Sequence, residues 1–484
     1  MTRTAGAGAR PGAPSGMTAC ERRRAWRTTW LLVAFILINF ADKTVMGLVA
    51  NPVMTELHLT REQFGTASAA FFALFSLAAL GGSFLTRTVR TPVLLLGMAL
   101  LWSAAQLPML FAAAGFGVLV ATRVLLGAAE GPATPVAVHH LHGWFEQRDR
   151  TLPTAVLLAG AAAGVAVAAP VLGTVTAAWG WRWAFGVVGL IGLVWAALWL
   201  RYGEEGPLAP PVGRRTTDRA SGATPEDCEI SEDYGGSEIP EDSEVSEVSE
   251  DSEDSEGGSS VPYRKVLLTG TWLSAALGAF AAFWTVSASL TWAADYFQEV
   301  VGLGLRQASL LIMLAALAKG GAMLAHGLLV QRAGRRAAAG LRPRIPLSSG
   351  VKNGLVLLFS GAATLGFAAA DALWLKAVLL LGPMAVSDII MTVAQTSVSR
   401  ISPADRRGVT LGTLTCVFAL AGILAPAVTG RLVDAGATVA DGYFGAYGTM
   451  AGLAAVAGVA VTLFLRPERD ARRLGVAEAT VAKR

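Results

Sequence analysis

Twelve stretches of about 20 predominantly apolar residues punctuate this chain, and their repetition fixes the fold class before any motif is read. They fall at roughly 28–50, 63–85, 92–113, 115–141, 151–177, 182–201, 266–294, 306–330, 352–370, 374–398, 408–430 and 443–465. Lipid offers no partner to a backbone N–H or C=O, so runs of this length predict membrane-spanning α-helices. Only 15% of the 484 residues are charged and the mean hydropathy is +0.52. A soluble domain is nearer about 25% charged. The first run is too long for the core of a secretory signal, and similar runs follow it, so it is expected to be a retained span.

A polar interval over 202–263 divides the spans six and six. The expectation is an all-α membrane protein of twelve transmembrane helices in two six-helix, pseudo-symmetric halves. The halves would cover 28–201 and 264–466, with tails over 1–27 and 467–484. Between Ser221 and Tyr263 the interval holds 15 acidic residues and no Lys or Arg. Such a Ser/Glu/Asp-rich segment cannot bury enough apolar surface to offset its ordering entropy, so it reads as a disordered acidic linker. An interaction or phosphorylation segment is the sharper alternative.

Positive charge gathers on one side of the expected bilayer. Arg22, Arg23, Arg24 and Arg27 lie there, as do Arg87, Arg90, Arg148, Arg150, Arg214, Arg215 and Arg219. Arg332, Arg335, Arg336, Arg342, Arg344, Arg406 and Arg407 continue that face in the second half. With an even number of spans, the positive-inside bias puts both termini and the linker in the cytoplasm of a plasma-membrane protein. These charges are spread over short loops, which excludes a nucleic-acid footprint. Cys20, Cys228 and Cys416 fall in three unrelated segments, and His139, His140 and His142 lack a carboxylate or Cys at ligand spacing. Neither a disulfide framework nor a metal site is expected. No cofactor is implied, a monomer is expected, and the Ala, Gly and Arg richness points to a high-GC bacterial genome.

Against this background four charged residues stand out. Asp42 and Lys43, in Asn39-Phe40-Ala41-Asp42-Lys43, lie within the first span; Arg123 and Glu130 lie within the fourth. Each charge at the bilayer centre costs roughly 2.5–3.5 kcal/mol even on insertion scales, so their presence points to the movement of a charged solute. Arg123 and Glu130 are two helical turns apart, about 10.5 Å along one face, and cannot pair directly. Asp42 and Lys43 are adjacent and point about 100° apart on a helix. Pairing is therefore expected across helices.

An internal repeat accompanies the six-and-six division. Gly82 is followed by Arg87 and Arg90 after span two, and Gly327 by Arg332 and Arg335 after span eight, with identical spacing. A duplicated unit places the solute site at the interface of the halves, near the midplane.

Together these features resemble the major facilitator superfamily, whose cytoplasmic loops commonly read Gly-xxx-Asp-Arg-x-Gly-Arg-Arg. Thr86 and Gln331 stand at the Asp position here, and Val89 replaces the usual Gly of the first copy. Within the superfamily, Asn39-Phe40-Ala41-Asp42-Lys43 is similar to the first-helix Tyr-Ala-Asp-Arg pattern of the anion:cation symporter group. Arg123-Val124-Leu125-Leu126-Gly127-Ala128-Ala129-Glu130-Gly131-Pro132, with Pro135 and Trp144-Phe145, resembles its fourth-helix pattern. Trp181-Arg182-Trp183-Ala184-Phe185 and Leu290-Thr291-Trp292 match as well. His139 stands where those relatives often have Arg, and Asp295 where they usually have an uncharged residue.

The resemblance implies proton-coupled symport of a small organic anion, such as a sugar acid or aromatic acid, by alternating access. Lys43 and Arg123 would attract the substrate carboxylate, one as a point charge and one through a planar fork. Asp42 and Glu130 would be the protonatable coupling sites, because burial disfavours the charged form of a carboxylate. The bland alternative for all four is a structural interhelical ion pair. Lys319 and Asp388 are mid-span charges in the second half, either a pair or, for Lys319, a second anion contact. Thr291 and Trp292 are candidates to line the cavity, although a Trp in a bundle is more often packing. Asn39, Asp388 and His139 are accessory candidates. Two other functions compete: a proton-coupled exporter of a drug or secondary metabolite, and a transporter-like receptor. Ala169-Pro170-Val171-Leu172-Gly173 faintly resembles the Gly-Pro motif of drug antiporters. No nucleophile–base or metal constellation points to an enzyme.

Overall fold

The computed structural model describes residues 18–146, 149–209, 261–340, 348–403 and 406–476, and the expected linker lies outside them from 210 to 260. The described residues hold helices and turns and no strand. The first half comprises Ala19–Leu48, Arg61–Thr88, Thr91–Gln106, Phe116–Glu130 continued by Ala133–His142, Thr151–Trp179 and Trp181–Tyr202 as spans one to six. The second comprises Gly270–Glu299, Leu305–Ala338, Ser349–Ala369, Leu373–Leu381 continued by Ile389–Ile401, Arg407–Asp434 and Val439–Phe464 as spans seven to twelve. Among the described residues eleven of these units are long and apolar enough to cross a membrane. Span two, a helix of 28 residues in the same bundle, completes the set.

Helix ends follow capping chemistry rather than the limits of the apolar runs. Span one starts at Ala19, ahead of its apolar run, because Thr18 and Glu21 form a reciprocal capping box that satisfies the first free N–H groups. The arginines expected in a tail therefore stand on its opening turns, where Arg24 and Arg27 both reach Glu204 beyond span six. Likewise Pro467–Arg473, expected in the C-terminal tail, is a short helix docked on span seven. Its Asp470 accepts from the Thr271 hydroxyl at 2.6 Å and from the Thr271 N–H at 3.1 Å.

Proline shapes three spans. Pro108 follows Gln106 by two residues, and span three tightens there from α-helix into a 3-10 turn over Leu107–Leu110. Span four breaks at Gly131-Pro132 and span ten at Gly382-Pro383, corresponding members of the two halves. An interruption of the helical hydrogen-bond ladder at membrane depth is tolerated where it is buried in protein or lines a cavity.

Spans two and eleven, and spans five and eight, pack across the halves. The halves approach closely at the end of the bundle opposite residue 19. There a Cβ on Gly47 of span one would sit 2.1 Å from the Leu290 carbonyl oxygen of span seven, so only glycine fits. Val45, Met46 and Phe64 join Trp284, Trp292 and Ala425 in an apolar cluster that straddles the seam. Three polar links between the halves are described, all at this end. Asn51 donates to Glu299 at 2.9 Å, the Glu62 N–H donates to Asp434 at 2.8 Å, and Arg61 pairs with Asp295 at 3.2 Å. The seam is closed at that end.

Candidate functional site

Span one presents Asp42 and Lys43 to two different neighbours, as their adjacency on a helix requires. Lys43 faces span four, where its ammonium pairs with Glu130 Oε2. It also donates to Asn39 Oδ1 at 2.6 Å and to the Asn39 carbonyl at 3.2 Å, one turn back on its own helix. The rings of Phe40, Phe71 and Phe75 surround it, with centroids 4.9, 5.5 and 5.7 Å from Nζ. Span four packs tightly against span two at Gly127, where a Cβ would meet the Phe71 carbonyl oxygen at 1.8 Å.

Asp42 faces span three. Its Oδ1 accepts from the Gln106 amide at 2.5 Å, and the Gln106 oxygen accepts from Arg123 Nη2 at 2.7 Å. The guanidinium lies 5.2 Å from the centre of the Phe185 ring on span six. Asp42, Gln106, Arg123 and Glu130 are all essentially inaccessible, and Lys43 keeps only a little exposed surface. Two cations and two carboxylates thus share one buried cluster within the first half. Its formal charges cancel when all four are ionised.

In the second half Lys319 of span eight meets Asp388 at the start of the second segment of span ten, Ile389–Ile401, with Nζ to Oδ2 at 3.1 Å. Ser387 donates to Asp388 Oδ1 at 2.9 Å. Thr291 and Trp292 are buried, and Trp292 packs against the seam, its indole N–H donating to the Pro426 carbonyl at 2.9 Å. That indole is engaged within the second half, not with the Lys43 cluster. His139 is exposed on the last turn before Gly143, whereas its neighbour His140 is buried and hydrogen-bonds Thr91 at 2.7 Å. Of the loop signature, Arg90 pairs with Glu205 at 2.7 Å. Gly327, Arg332 and Arg335 lie exposed on the end of span eight, and the exposure of Gly82 and Arg87 lies outside what the structure describes.

Two features escaped sequence reasoning. Gln106 is a lone amide in an apolar run, and the signal that could find it is its place just before Leu107-Pro108 at membrane depth. The second is a buried cluster at the seam, in which Asp295 accepts from both Arg61 and the Tyr443 hydroxyl. Asp295 and Arg61 are visible as charges, but nothing local joins residues so far apart in the chain.

The geometry can hold an anion by exchanging it for the carboxylate on Lys43 or for the amide oxygen on Arg123. Adding one negative charge to a buried, balanced cluster is costly unless a carboxylate is neutralised with it. Comparisons with known proteins agree with a transport architecture. The chain is 25% identical to the hexuronate transporter of Bacillus subtilis over 445 residues, covering 89% of this chain and 92% of that one. It is likewise 25% identical to a probable sulfoacetate transporter of Cupriavidus necator, covering 89% and 91%. The crystal structure of a bacterial homolog of the human lysosomal transporter Spinster, inward-facing and occupied, superposes with a TM-score of 0.69 at 17% identity. That match covers 94% of this chain and 99% of that one, and it concerns the fold alone. Residues 31–382 match the family model of the Major Facilitator Superfamily. Helices, repeat and match agree: the chain belongs to the Major Facilitator Superfamily of membrane transporters.

Proposed function

We propose that this transporter moves a small organic anion, a carboxylate such as a sugar acid, together with protons and in the same direction. The observation that carries the reading is the balanced buried cluster, Lys43 on Glu130 and Arg123 linked through Gln106 to Asp42. An anion that takes one of the cations leaves a carboxylate without its partner, and a proton restores neutrality at least cost. Of the two cations Lys43 is the more accessible and serves as the first anion contact; Arg123 acts from behind Gln106. Lys319, freed from Asp388 in the same way, offers a second contact in the other half. The relatives named above carry a hexuronate and, by its name, sulfoacetate, both small anions.

The positive-inside bias assigns the end bearing residue 19 to the cytoplasm. On that reading the closed seam faces the outside, and binding of anion and proton lets the halves rock about the site. Uptake into proteoliposomes holding a trapped pH dye tests this, with hexuronates, aromatic acids and sulfoacetate as the panel. Internal acidification driven by one of these anions, lost in Asp42→Asn and Glu130→Gln, is the expected result. Proton release driven by hydrophobic cations, with no response to any anion, would replace symport by export.

A further inference from the structure

We propose that Gln106 is a positioning residue through which Arg123 and Asp42 act on one another: the guanidinium fixes the amide, and the amide selects the oxygen of Asp42 that takes the proton. This rests on the reading above that Asp42 carries a proton.

The argument begins with donors and acceptors. A guanidinium donates and never accepts, so the Gln106 group facing Arg123 at 2.7 Å must be its oxygen. The amide nitrogen is then turned onto Asp42 Oδ1, 2.5 Å away. Oδ1 must accept, because a proton on it would set donor against donor. Asp42 Oδ2 is buried and has no hydrogen-bond partner among the described residues, and it is the oxygen left free for the proton. An amide in water turns easily; this one is fully buried at the last α-helical residue of span three, where Pro108 ends the regular helix.

The charged groups facing Asp42 are Glu130, Arg123 and Lys43. Arg123 touches it only through Gln106. A direct guanidinium–carboxylate fork would be stronger and harder to exchange than this neutral bridge. An anion that engages Arg123 competes with the amide oxygen, releases the amide and so changes what Asp42 Oδ1 accepts. Binding at one residue is thereby felt at the other.

Infrared difference spectra of the purified full-length protein test the assignment without any transport step. The carbonyl stretch of protonated Asp42 is identified by its loss in Asp42→Asn. Gln106→Met keeps the side-chain length but removes donor and acceptor; Gln106→Glu keeps an acceptor for Arg123 and, ionised, returns no N–H to Asp42. In both, the Asp42 band should move to higher frequency, as a carbonyl does on losing a hydrogen bond. A band unmoved in both variants overturns the proposal, as does the lack of any Asp42-dependent band at every pH where the protein stays folded. Should Gln106→Met fail to fold, Gln106→Glu carries the test. A band that moves in a protein without anion-driven proton uptake would sink symport and leave the role of Gln106 standing.

Discussion

Each half of the bundle carries a lysine–carboxylate pair beside a Gly-Pro break, and the two pairs differ in how far they are withdrawn from solvent. Lys43 and Glu130 keep 10% and 0% of their side-chain surface, whereas Lys319 and Asp388 keep 24% and 15%. The first pair joins spans one and four, with Glu130 just before Gly131-Pro132; the second joins spans eight and ten, with Asp388 just after Pro383. Burial raises the cost of leaving either partner alone, and water screens that cost where it reaches. The difference teaches a division of labour. On the proposed function, the buried pair would be a switch that exchanges only when charge is balanced, and the open pair a contact that adjusts at smaller cost.

The sharpest way to break this comparison is Lys43→Met. Removing one member of a buried pair costs about 3–5 kcal/mol, because the other is left buried and unpaired. Thermal unfolding followed by tryptophan fluorescence should show a large loss of stability, together with loss of anion uptake. Replacing both partners, Lys43→Met with Glu130→Leu, should recover most of the stability and none of the uptake. Unfolding of Lys43→Met at the wild-type temperature would mean that the pair is no more costly to break than a surface one.

Lys319→Met should behave differently. This pair is less withdrawn than Lys43–Glu130, so less stability is at stake when it is broken. As a second anion contact, Lys319 should instead show itself in KM, raised about tenfold, which corresponds to about 1.4 kcal/mol of binding. A KM equal to that of the wild type would leave Lys319 as a structural partner of Asp388 alone.

How much of this was legible in the chain depends on the range of the interaction. Twelve apolar runs and the six-and-six division were readable because a bilayer imposes length and hydrophobicity on every span. That Asp42 and Lys43 serve different neighbours follows from the helical repeat, and the structure supplies which neighbour each has. Local polar chemistry that sits outside the apolar pattern was harder to see. The capping box at Thr18 extends span one backwards through arginines that hydropathy excludes. Gly382-Pro383 interrupts a run that hydropathy reads as continuous. Contacts between distant segments were not legible at all. Arg61 and Asp295 are 234 residues apart, and only the packing of the halves joins them. Gln106 is a similar case, since an amide's meaning lies in the two charges that tertiary structure places on either side.

Ser387→Ala probes the open pair most gently. The Ser387 hydroxyl donates to Asp388 Oδ1 and also lies 2.9 Å from the Met384 carbonyl, so two acceptors compete for one proton. A single intramolecular hydrogen bond contributes about 0.5–1.5 kcal/mol net, and a shared one falls at the low end. Asp388 keeps Lys319 when the hydroxyl is lost. Stability and KM should therefore both stay near wild type, and the smallest response in the series should be found here. A fall in stability as large as that of Lys43→Met would show that Asp388 depends on Ser387 as Glu130 depends on Lys43. The open pair would then be as closed as its counterpart, and the distinction between switch and contact would have to rest on something other than burial.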